Sequence, residues 1–315
     1  MKESVALRKR FCKDFNLPID LFDSPYFEQR LAILDEQFNS VELYEDFMEE
    51  VNTFDNEEEY FAYYNKVKDD VINYIHTNSE YEAFNSRIVP DIYAFPRKEL
   101  YSDCNDGKTF FSIDMRRANF STLSKLFPGL VNNQNSWEVF LGMFTNLSHI
   151  QKSKYIRQVI LGACNPRRQT DWERFLMVKI ALSIQDELNS CHIISASTDE
   201  ILIESDSPDS MAAAELDRLI YMNCSPMFDL VKTTKFVLKK IDGFGWVKQF
   251  IQVESTDEVS DKYEFKCVSS DKFHILTKLY RGEELTDDDL VFRHNGVLAK
   301  YLAKECFKLD GSFRD

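Results

Sequence analysis

The segment Cys191–Ser205, which reads CHIISASTDEILIES, constrains the fold of this chain most strongly. Two short apolar runs, His192–Ala196 and Ile201–Ile203, are separated by the polar residues Ser197–Glu200. Apolar runs that are rich in β-branched residues and broken by a few turn-forming residues predict a tight β-hairpin. The chain is therefore expected to contain an antiparallel sheet with a polar, acidic hairpin tip.

The acid at this tip, Asp199, can contribute to a divalent cation site if a second carboxylate lies beside it. Hard cations such as Mg²⁺ bind a few carboxylate oxygens together with substrate phosphates. The best second candidate is Asp114, which follows the strand-like run Thr109–Ile113. The functional interpretation depends on these two carboxylates meeting.

Composition and charge limit the class of protein. The 315 residues, 44% of them hydrophobic and including 26 Phe and 14 Tyr, predict a globular chain of one large or two ordinary domains. The net charge of −15 argues against a protein that coats duplex nucleic acid non-specifically. The charge is uneven: residues 1–100 hold 22 acids and 11 bases, and residues 101–315 hold 31 and 27. The second part can therefore carry a locally basic groove.

The cysteines predict an intracellular, reducing compartment. They are odd in number and widely spaced, with no C-x-x-C pair, which disfavours both a zinc site and a disulfide framework. The seven are Cys12, Cys104, Cys164, Cys191, Cys224, Cys267 and Cys306. No apolar run approaches the length of a membrane span and the N-terminus lacks a signal-like apolar region, so no membrane association is expected.

Residues 1–100 are expected to form an acidic helical domain. Apolar residues at three- and four-residue steps predict helices at Glu28–Phe38, Val41–Val51 and Glu57–Ile75. The aromatic segment Tyr60–Tyr74 fits either a core face, which the periodicity favours, or a surface for a protein partner. Pro90 and Pro96 bracket the expected domain boundary.

The remaining chain alternates strands and helices in an order that predicts an α+β fold. A strand, several helices, the hairpin, another helix and two further strands suit an antiparallel sheet backed by helices, of the split β-α-β kind. We expect a central domain over 101–254 and a small C-terminal region over 255–315, with helices near Asp271–Tyr280 and Gly296–Phe307. In this fold the first strand and the hairpin can be neighbours, which would bring Asp114 towards Asp199.

Three segments, in order, resemble the palm of family B DNA polymerases. Ser112–Phe120 (SIDMRRANF) is similar to D-x-x-S-L-Y-P-S, and Lys154–Ala163 (KYIRQVILGA) to K-x-x-x-N-S-x-Y-G. Ser197–Ile201 (STDEI) resembles D-T-D-S-I with the first Asp replaced by Ser. The resemblance covers about 108–253, under half of the chain, and three motifs in order with correct spacing are more specific than any one of them.

The resemblance implies a two-metal nucleotidyltransferase site. Two Mg²⁺ or Mn²⁺ ions would be held by Asp114 and Asp199, with the backbone carbonyl of Met115 as a further ligand. The Ser197 replacement removes an acid of lesser importance in that family and keeps the principal pair. No exonuclease segment is recognisable upstream, so the enzyme would lack proofreading, as in a primase-like, repair or viral accessory enzyme.

The resemblance also implies roles for residues around the metal site. Lys154 and Arg157 would hold the triphosphate, while Gln158 and Gly162 would line the nascent base pair. On the helix, Lys154, Arg157, Gln158, Leu161 and Gly162 are expected to share one face, with Ile156, Ile160 and Ala163 in the core. Lys232 and Lys235 would contact the primer backbone. At the family's sugar-sensing aromatic position stands Asn119, so either Phe120 takes that role or ribose discrimination is relaxed.

Three functions remain open from the sequence. The first is a template-directed nucleotidyltransferase that acts on nucleoside triphosphates and a primed nucleic acid, with DNA or RNA as product. The second is a polymerase-derived module without activity that binds a protein partner through its helical domain. The third is an unrelated α+β interaction protein, in which Asp114 merely ends a strand, Asp199-Glu200 forms an ordinary hairpin tip, and Lys154 with Arg157 belongs to a solvated helix face.

Overall fold

The computed structural model describes residues 3–91, 93–189, 191–206, 211–251, 263–304 and 307–309. In the first hundred residues it has five helices: α1 Val5–Asp14, α2 Tyr26–Phe38, α3 Ser40–Val51, α4 Glu57–Thr77 and α5 Glu80–Ser86. The three predicted helices correspond to α2, α3 and α4 and are confirmed. The helices α1 and α4 begin at polar caps, since the side chains of Ser4 and Asn56 accept hydrogen bonds from backbone N–H groups three residues on.

The aromatic segment of α4 is a core face. Tyr60, Tyr64, Val67, Val71 and Ile75, at three- and four-residue steps, are all buried. Rings from the neighbouring helices pack against them, as where the Phe47 ring meets Tyr60 edge to face. The periodicity therefore indicated the core of this helical unit and not an exposed partner surface.

The described residues of the second part of the chain form a six-stranded antiparallel sheet, which confirms the α+β prediction. Its spatial order is β2-β3-β1-β4-β5-β6, and every pair of neighbours is antiparallel. The strands are β1 Thr109–Met115, β2 Cys191–Ala196, β3 Glu200–Ser205, β4 Val231–Ile241, β5 Gly245–Phe250 and β6 Tyr263–Lys266. The predicted hairpin is the β2-β3 pair, and β1 lies centrally between β3 and β4.

Seven further helices complete the described helical structure. They are α6 Ala118–Leu126, α7 Trp137–Leu141, α8 Ser148–Lys152, α9 Lys154–Ala163, α10 Pro166–Ile184, α11 Ala213–Phe228 and α12 Ser270–Arg281. The side chain of Ser153 caps α9 by accepting from the Ile156 N–H, and Asn165 caps α10 in the same way at Arg168. Helices α10 and α11 pack against each other.

The two faces of the sheet have different cover. Phe111, Ile113, Ile201 and Ile203 lie in a buried cluster with residues of α10 and α11, so helices back this face. The opposite face carries a cluster around Phe110 whose members all come from strands or from the segment before β1, with no contribution from any described helix. These members are Leu100, Tyr101, Phe110, Ile194, Leu202, Phe236, Leu238, Trp246 and Phe250. Most of these apolar side chains are themselves buried, and this face reaches solvent at the end of β1, where Asp114 is exposed.

The predicted helix at Gly296–Phe307 is wrong. Residues of this range instead form β8 Val297–Lys300, which pairs with β7 Val291–His294 in a separate two-stranded sheet. The turn between the two strands is Asn295-Gly296, and both residues have positive φ, 47° and 84°. A two-residue turn of this type fits the right-handed twist of a hairpin, and it outweighs the helical pattern of the apolar residues that follow.

The largest core extends across the predicted boundary near residue 100. It joins Leu7, Phe47 and Tyr60 of the N-terminal helices to Phe140 and Ile156 of the later ones. The boundary marks a change from helices to sheet within continuous packing, and the second predicted boundary, at residue 254, falls outside the described residues. In the part of the chain that the structure describes, no helix is long and apolar enough to cross a membrane.

Candidate active site

The tip of the β2-β3 hairpin is tied to the end of β1. Within the tip, the Ser197 N–H donates to the Glu200 carbonyl at 2.8 Å, and the Ser197 hydroxyl accepts from the Glu200 N–H at 3.1 Å. The Met115 N–H donates to the carbonyl of Asp199 at 2.7 Å. Because Met115 follows Asp114 directly, this bond holds the two candidate acids at adjoining strand ends.

Asp114 lies on the sheet face that helices do not cover. Its Cα is paired with Glu200 of β3 on one side and with Lys232 of β4 on the other. Side chains alternate along a strand, so Asp114 shares a face with Ser112, whose hydroxyl donates to the Glu200 carboxylate at 2.5 Å. The side chains of Asp114 and Asp199 are both exposed to solvent. The backbone thus places the end of β1, which carries Asp114, beside the hairpin tip, which carries Asp199 and Glu200.

Burial and the charges of the neighbouring acids together raise the pKa of Asp114. Its pKa is raised to about 6, first by partial burial of the carboxyl group and then by the negative charges of Glu200 and Asp199. The ammonium groups of Lys248 and Lys266 act in the opposite direction. A carboxylate with raised pKa among like charges is a common property of sites that bind a cation or transfer protons.

Lys248 is the principal basic group at this cluster. Its side chain is buried, its ammonium lies 3.5 Å from the Glu200 carboxylate, and it also lies 4.6 Å from the centre of the Phe236 ring. A buried ammonium needs such a partner because desolvation of an unpaired charge is costly. Lys248 therefore compensates part of the negative charge that Asp114, Asp199 and Glu200 concentrate here.

A fourth acid, Glu173 of α10, is coupled to the hairpin tip from the helical side of the sheet. Its side chain is buried, and burial together with the negative charge of Asp199 raises its pKa to about 7. The amide of Gln169 donates to its carboxylate at 3.2 Å and also to the Asn119 carbonyl at 2.8 Å. Gln169 thus connects Glu173 to the segment that follows Asp114.

The donor set suits a hard divalent cation that brings part of its own ligands. Among the described residues, no group of three or more His, Cys, Asp and Glu side chains is arranged to hold a metal ion. Mg²⁺ is usually bound by one or two carboxylates with waters and substrate phosphates, which is what Asp114 and Asp199 would supply. The mutual repulsion that raises the pKa of Asp114 is the interaction that a bound cation relieves.

Helix α9 presents its predicted residues in two directions. Arg157 is half-buried, and this burial is the main reason why its pKa is lowered. The positive charge of Arg117 also lowers the pKa and the negative charge of Glu138 raises it, so both residues lie near Arg157. Arg117, three residues after Asp114, forms an ion pair with Glu138. Arg157 is therefore the α9 cation on the side of the Asp114 segment.

Lys154 and Gln158 line a different space. Both are exposed, and both contribute to a cavity of about 480 Å³ between α9, α1 and the segment after α1; none of the acidic residues around Asp114 lines it. Two details of the predicted helix face are wrong, because Leu161 is buried in the core and Ala163 is exposed. Gly162 is exposed, with open space where a Cβ would stand.

The burial of Phe120 and of Asn119 differs, and this bears on which of them would contact the sugar of a nucleotide. Phe120 is 2% exposed, and its ring packs against Trp137 and Phe140 in the core. This ring has no accessible face with which to contact a ribose. Asn119 is partly exposed and remains the candidate at that position.

The two predicted primer contacts lie on opposite faces of β4. Lys232 is exposed and paired with Asp114, on the open face. Lys235 is buried on the helix-backed face, where its ammonium donates to the Met211 carbonyl and lies 5.1 Å from the centre of the Phe111 ring. Strand alternation causes this separation, and it leaves Lys232 as the candidate for contact with nucleic acid.

Sequence reasoning missed Lys248, Glu173 and Gln169. Lys248 reaches the site from β5, two strands away from β1, and only the register of the sheet shows this. An acid within a predicted helix, as Glu173 is, reads as a solvated position until its burial is known. No local pattern in the sequence signals either residue.

Comparison of the chain with protein-family models, with curated proteins and with solved structures finds no match. The function proposed below therefore depends on the geometry of the site and on the resemblance of the three sequence segments.

Proposed function

We propose that this chain is a metal-dependent, template-directed nucleotidyltransferase of the DNA polymerase type, without proofreading. The observation that carries the proposal is the pairing of Asp114 with Glu200, together with the bond from the Met115 N–H to the Asp199 carbonyl. This pairing gives two exposed acids at adjoining strand ends of an antiparallel sheet. The resemblance of three ordered segments to family B polymerases agrees with the proposal.

Asp114 and Asp199 would hold two Mg²⁺ or Mn²⁺ ions, with the Met115 carbonyl as an additional ligand. When bound, such ions lower the pKa of an attacking hydroxyl and neutralise charge on a triphosphate. With a pKa of about 6, Asp114 is mostly ionised at pH 7.5 and is ready to act as a ligand. Lys248 limits the accumulated negative charge and keeps Glu200 in place.

The surrounding cations would position the substrates. Arg157, with Arg117 beside it, supplies guanidinium groups that suit the oxygens of a triphosphate. Lys232 lies across from Asp114 and suits the phosphate backbone of a primer strand. Gly162 and Asn119 would lie near the nascent base pair and its sugar. The acidic helical unit, 1–100, is the proposed contact for a protein partner, and a reducing intracellular compartment is the expected location.

Label incorporation tests the proposal. Purified protein is incubated with α-labelled dNTPs or NTPs, Mg²⁺ or Mn²⁺, and primed or unprimed templates. We expect incorporation that Asp114→Asn and Asp199→Asn each abolish, and that Asp186→Asn, an exposed acid after α10, leaves unchanged. The preferred nucleotide then decides between DNA and RNA as product. Incorporation that persists in both site variants would refute the assignment.

One observation favours a second function, that of an inactive polymerase-derived assembly module. The buried ammonium of Lys248 lies beside Glu200 and supplies positive charge where a catalytic site would take it from a metal. Mn²⁺-dependent binding of a nucleoside triphosphate separates the two functions. In the enzyme, Mn²⁺ adds nucleotide binding that Asp114→Asn removes, whereas the module shows no Mn²⁺-dependent binding and Asp114→Asn changes only its stability.

A further inference from the structure

The cavity between α1 and α9 has a positively charged lining. Lys9 and Lys13, one turn apart on α1, line it together with Lys154 at the start of α9. One acid, Asp20, lines it as well. The charged part of the lining is therefore three lysines and one acid, in a protein whose net charge is −15.

The three lysines lack carboxylate partners. None of them forms an ion pair with any acid in the described ranges, although most other bases of the N-terminal helices do, as Arg8 does with Glu3 and Glu28. Asp20, whose pKa is raised by burial and by the charge of Asp271, is the single carboxylate that lines the cavity with them. Three ammonium groups with one carboxylate leave a net positive charge, which a bound anion would neutralise.

The rest of the lining is apolar and aromatic. The Tyr155 ring lies 5.6 Å from the Lys13 ammonium and 4.9 Å from the Arg10 guanidinium, and the Phe22 ring lies 5.7 Å from the Lys9 ammonium. Gln158 adds an exposed amide. A cavity of about 480 Å³ is within the range of small-molecule sites, roughly 300–1,000 Å³. Cations at one part and a flat ring at another suit a ligand that carries both a phosphate and an aromatic ring.

We propose that this cavity is a nucleoside phosphate site, separate from the acidic cluster on the sheet. Lys9, Lys13 and Lys154 would bind the phosphate, Tyr155 would stack on the base, and Gln158 would bond to a polar edge of the ligand. The ligand is either a free nucleotide or the 5′-phosphorylated end of a nucleic acid strand, which present the same chemistry. The site needs no divalent metal, and it is therefore independent of the proposed nucleotidyl transfer.

The test measures the binding of phosphate-containing probes to the protein in EDTA at low ionic strength. EDTA prevents metal-dependent nucleotide binding at the acidic cluster, and low ionic strength leaves the lysine contacts little screened. The probes are AMP, inorganic phosphate, and one oligonucleotide with either a 5′-phosphate or a 5′-hydroxyl. We expect AMP to bind, and Lys9→Glu/Lys13→Glu to weaken that binding by about tenfold or more, since charge-assisted contacts to phosphate are lost. Lys125→Glu, an exposed lysine of α6 outside the cavity, is the control with the same type of charge change.

Further variants distinguish the parts of the site. Tyr155→Ala should weaken AMP and leave inorganic phosphate unchanged, and Asp199→Asn should leave both unchanged. Stronger binding of the 5′-phosphate oligonucleotide than of AMP would assign the site to a strand end, and the reverse order to a free nucleotide. Ligand protection of Lys9 and Lys13 from acetylation, relative to Lys125, gives a second readout in the unaltered protein. Absence of binding by all phosphate probes, or equal binding by Lys9→Glu/Lys13→Glu, would overturn the proposal.

Discussion

Glu173 is expected to destabilise the protein in a pH-dependent manner, and its replacement should reveal this. Its side chain is 8% exposed, and its pKa is raised from 4.5 to about 7. A raised carboxyl pKa means that the folded state holds the proton more tightly than the unfolded state. The contribution of Glu173 to stability is therefore most favourable at low pH, and it falls as the pH rises from about 4.5 to about 7.

The magnitude follows from the shift. A difference of 2.5 pKa units, at about 1.36 kcal/mol each, corresponds to roughly 3 kcal/mol of lost stability above pH 7. Glu173→Gln has nearly the same shape, keeps an oxygen that can accept from Gln169, and never ionises. We expect this variant to match the wild type at pH 4.5 and to be about 2–3 kcal/mol more stable at pH 8.

Urea or thermal unfolding of the two proteins across pH 4.5–8 measures this difference. Glu187→Gln changes an exposed acid just beyond α10 and should give no pH-dependent difference. The reasoning would be refuted by a Glu173→Gln variant that is less stable at pH 8, or whose stability difference from the wild type is constant across the range. The first result would mean that Glu173 is ionised and stabilised in the folded protein, and the second that folding leaves its pKa unchanged.

The remaining predictions concern the sheet and α9. Asp114→Asn should raise the free energy of unfolding at pH 7.5 by about 1 kcal/mol or less, because the group is exposed and screened, and should have no effect near pH 3.5. Thermal melts at both pH values measure this difference, and an equal effect at both would contradict the prediction. Lys248→Met should raise the pKa of Asp114 further, because the positive charge of Lys248 lowers this pKa. An NMR titration of the Asp114 carboxyl group measures the change, and an unchanged pKa would contradict the prediction. Gly162→Ala should stabilise α9 by about 0.5–1 kcal/mol, because its Cβ meets open space. Gly245→Ala should destabilise the protein, because φ is 154° and the new Cβ would lie 2.6 Å from the Lys266 carbonyl oxygen. Chemical denaturation compares the stabilities of the two glycine variants, and a Gly245→Ala protein more stable than Gly162→Ala would contradict this packing.

Local patterns predicted the elements of this fold well. Apolar runs rich in β-branched residues, separated by turn-forming residues, identified the β2-β3 hairpin. Three-to-four spacing identified α2, α3 and α4. Each signal comes from residues close in sequence. The signal failed where a turn competed with an apolar pattern, as at Asn295-Gly296, which makes β7 and β8 a hairpin. It also missed α1, whose core residues Leu7 and Phe11 are few and set among basic residues.

The site was predicted only in part, because its remainder depends on register. The approach of Asp114 to Asp199 follows from strand order, which the sequence suggested. That Lys235 faces the helices while Lys232 faces Asp114 depends on which residues of β4 pair with β1. The arrival of Lys248 from β5 and the burial of Phe120 depend on packing between segments far apart in sequence. Motif spacing alone carries no information on these contacts.

The most direct test of the central claim is a Mn²⁺ binding titration followed by electron paramagnetic resonance, with a non-hydrolysable nucleoside triphosphate present. The claim is that Asp114 and Asp199 together hold a metal-bound nucleotide at the adjoining ends of β1 and the hairpin. The account predicts nucleotide-dependent Mn²⁺ binding by the wild type and by Asp186→Asn, with loss in Asp114→Asn and in Asp199→Asn. Wild-type protein that binds no Mn²⁺ with the nucleotide, or site variants that bind as the wild type does, would contradict it.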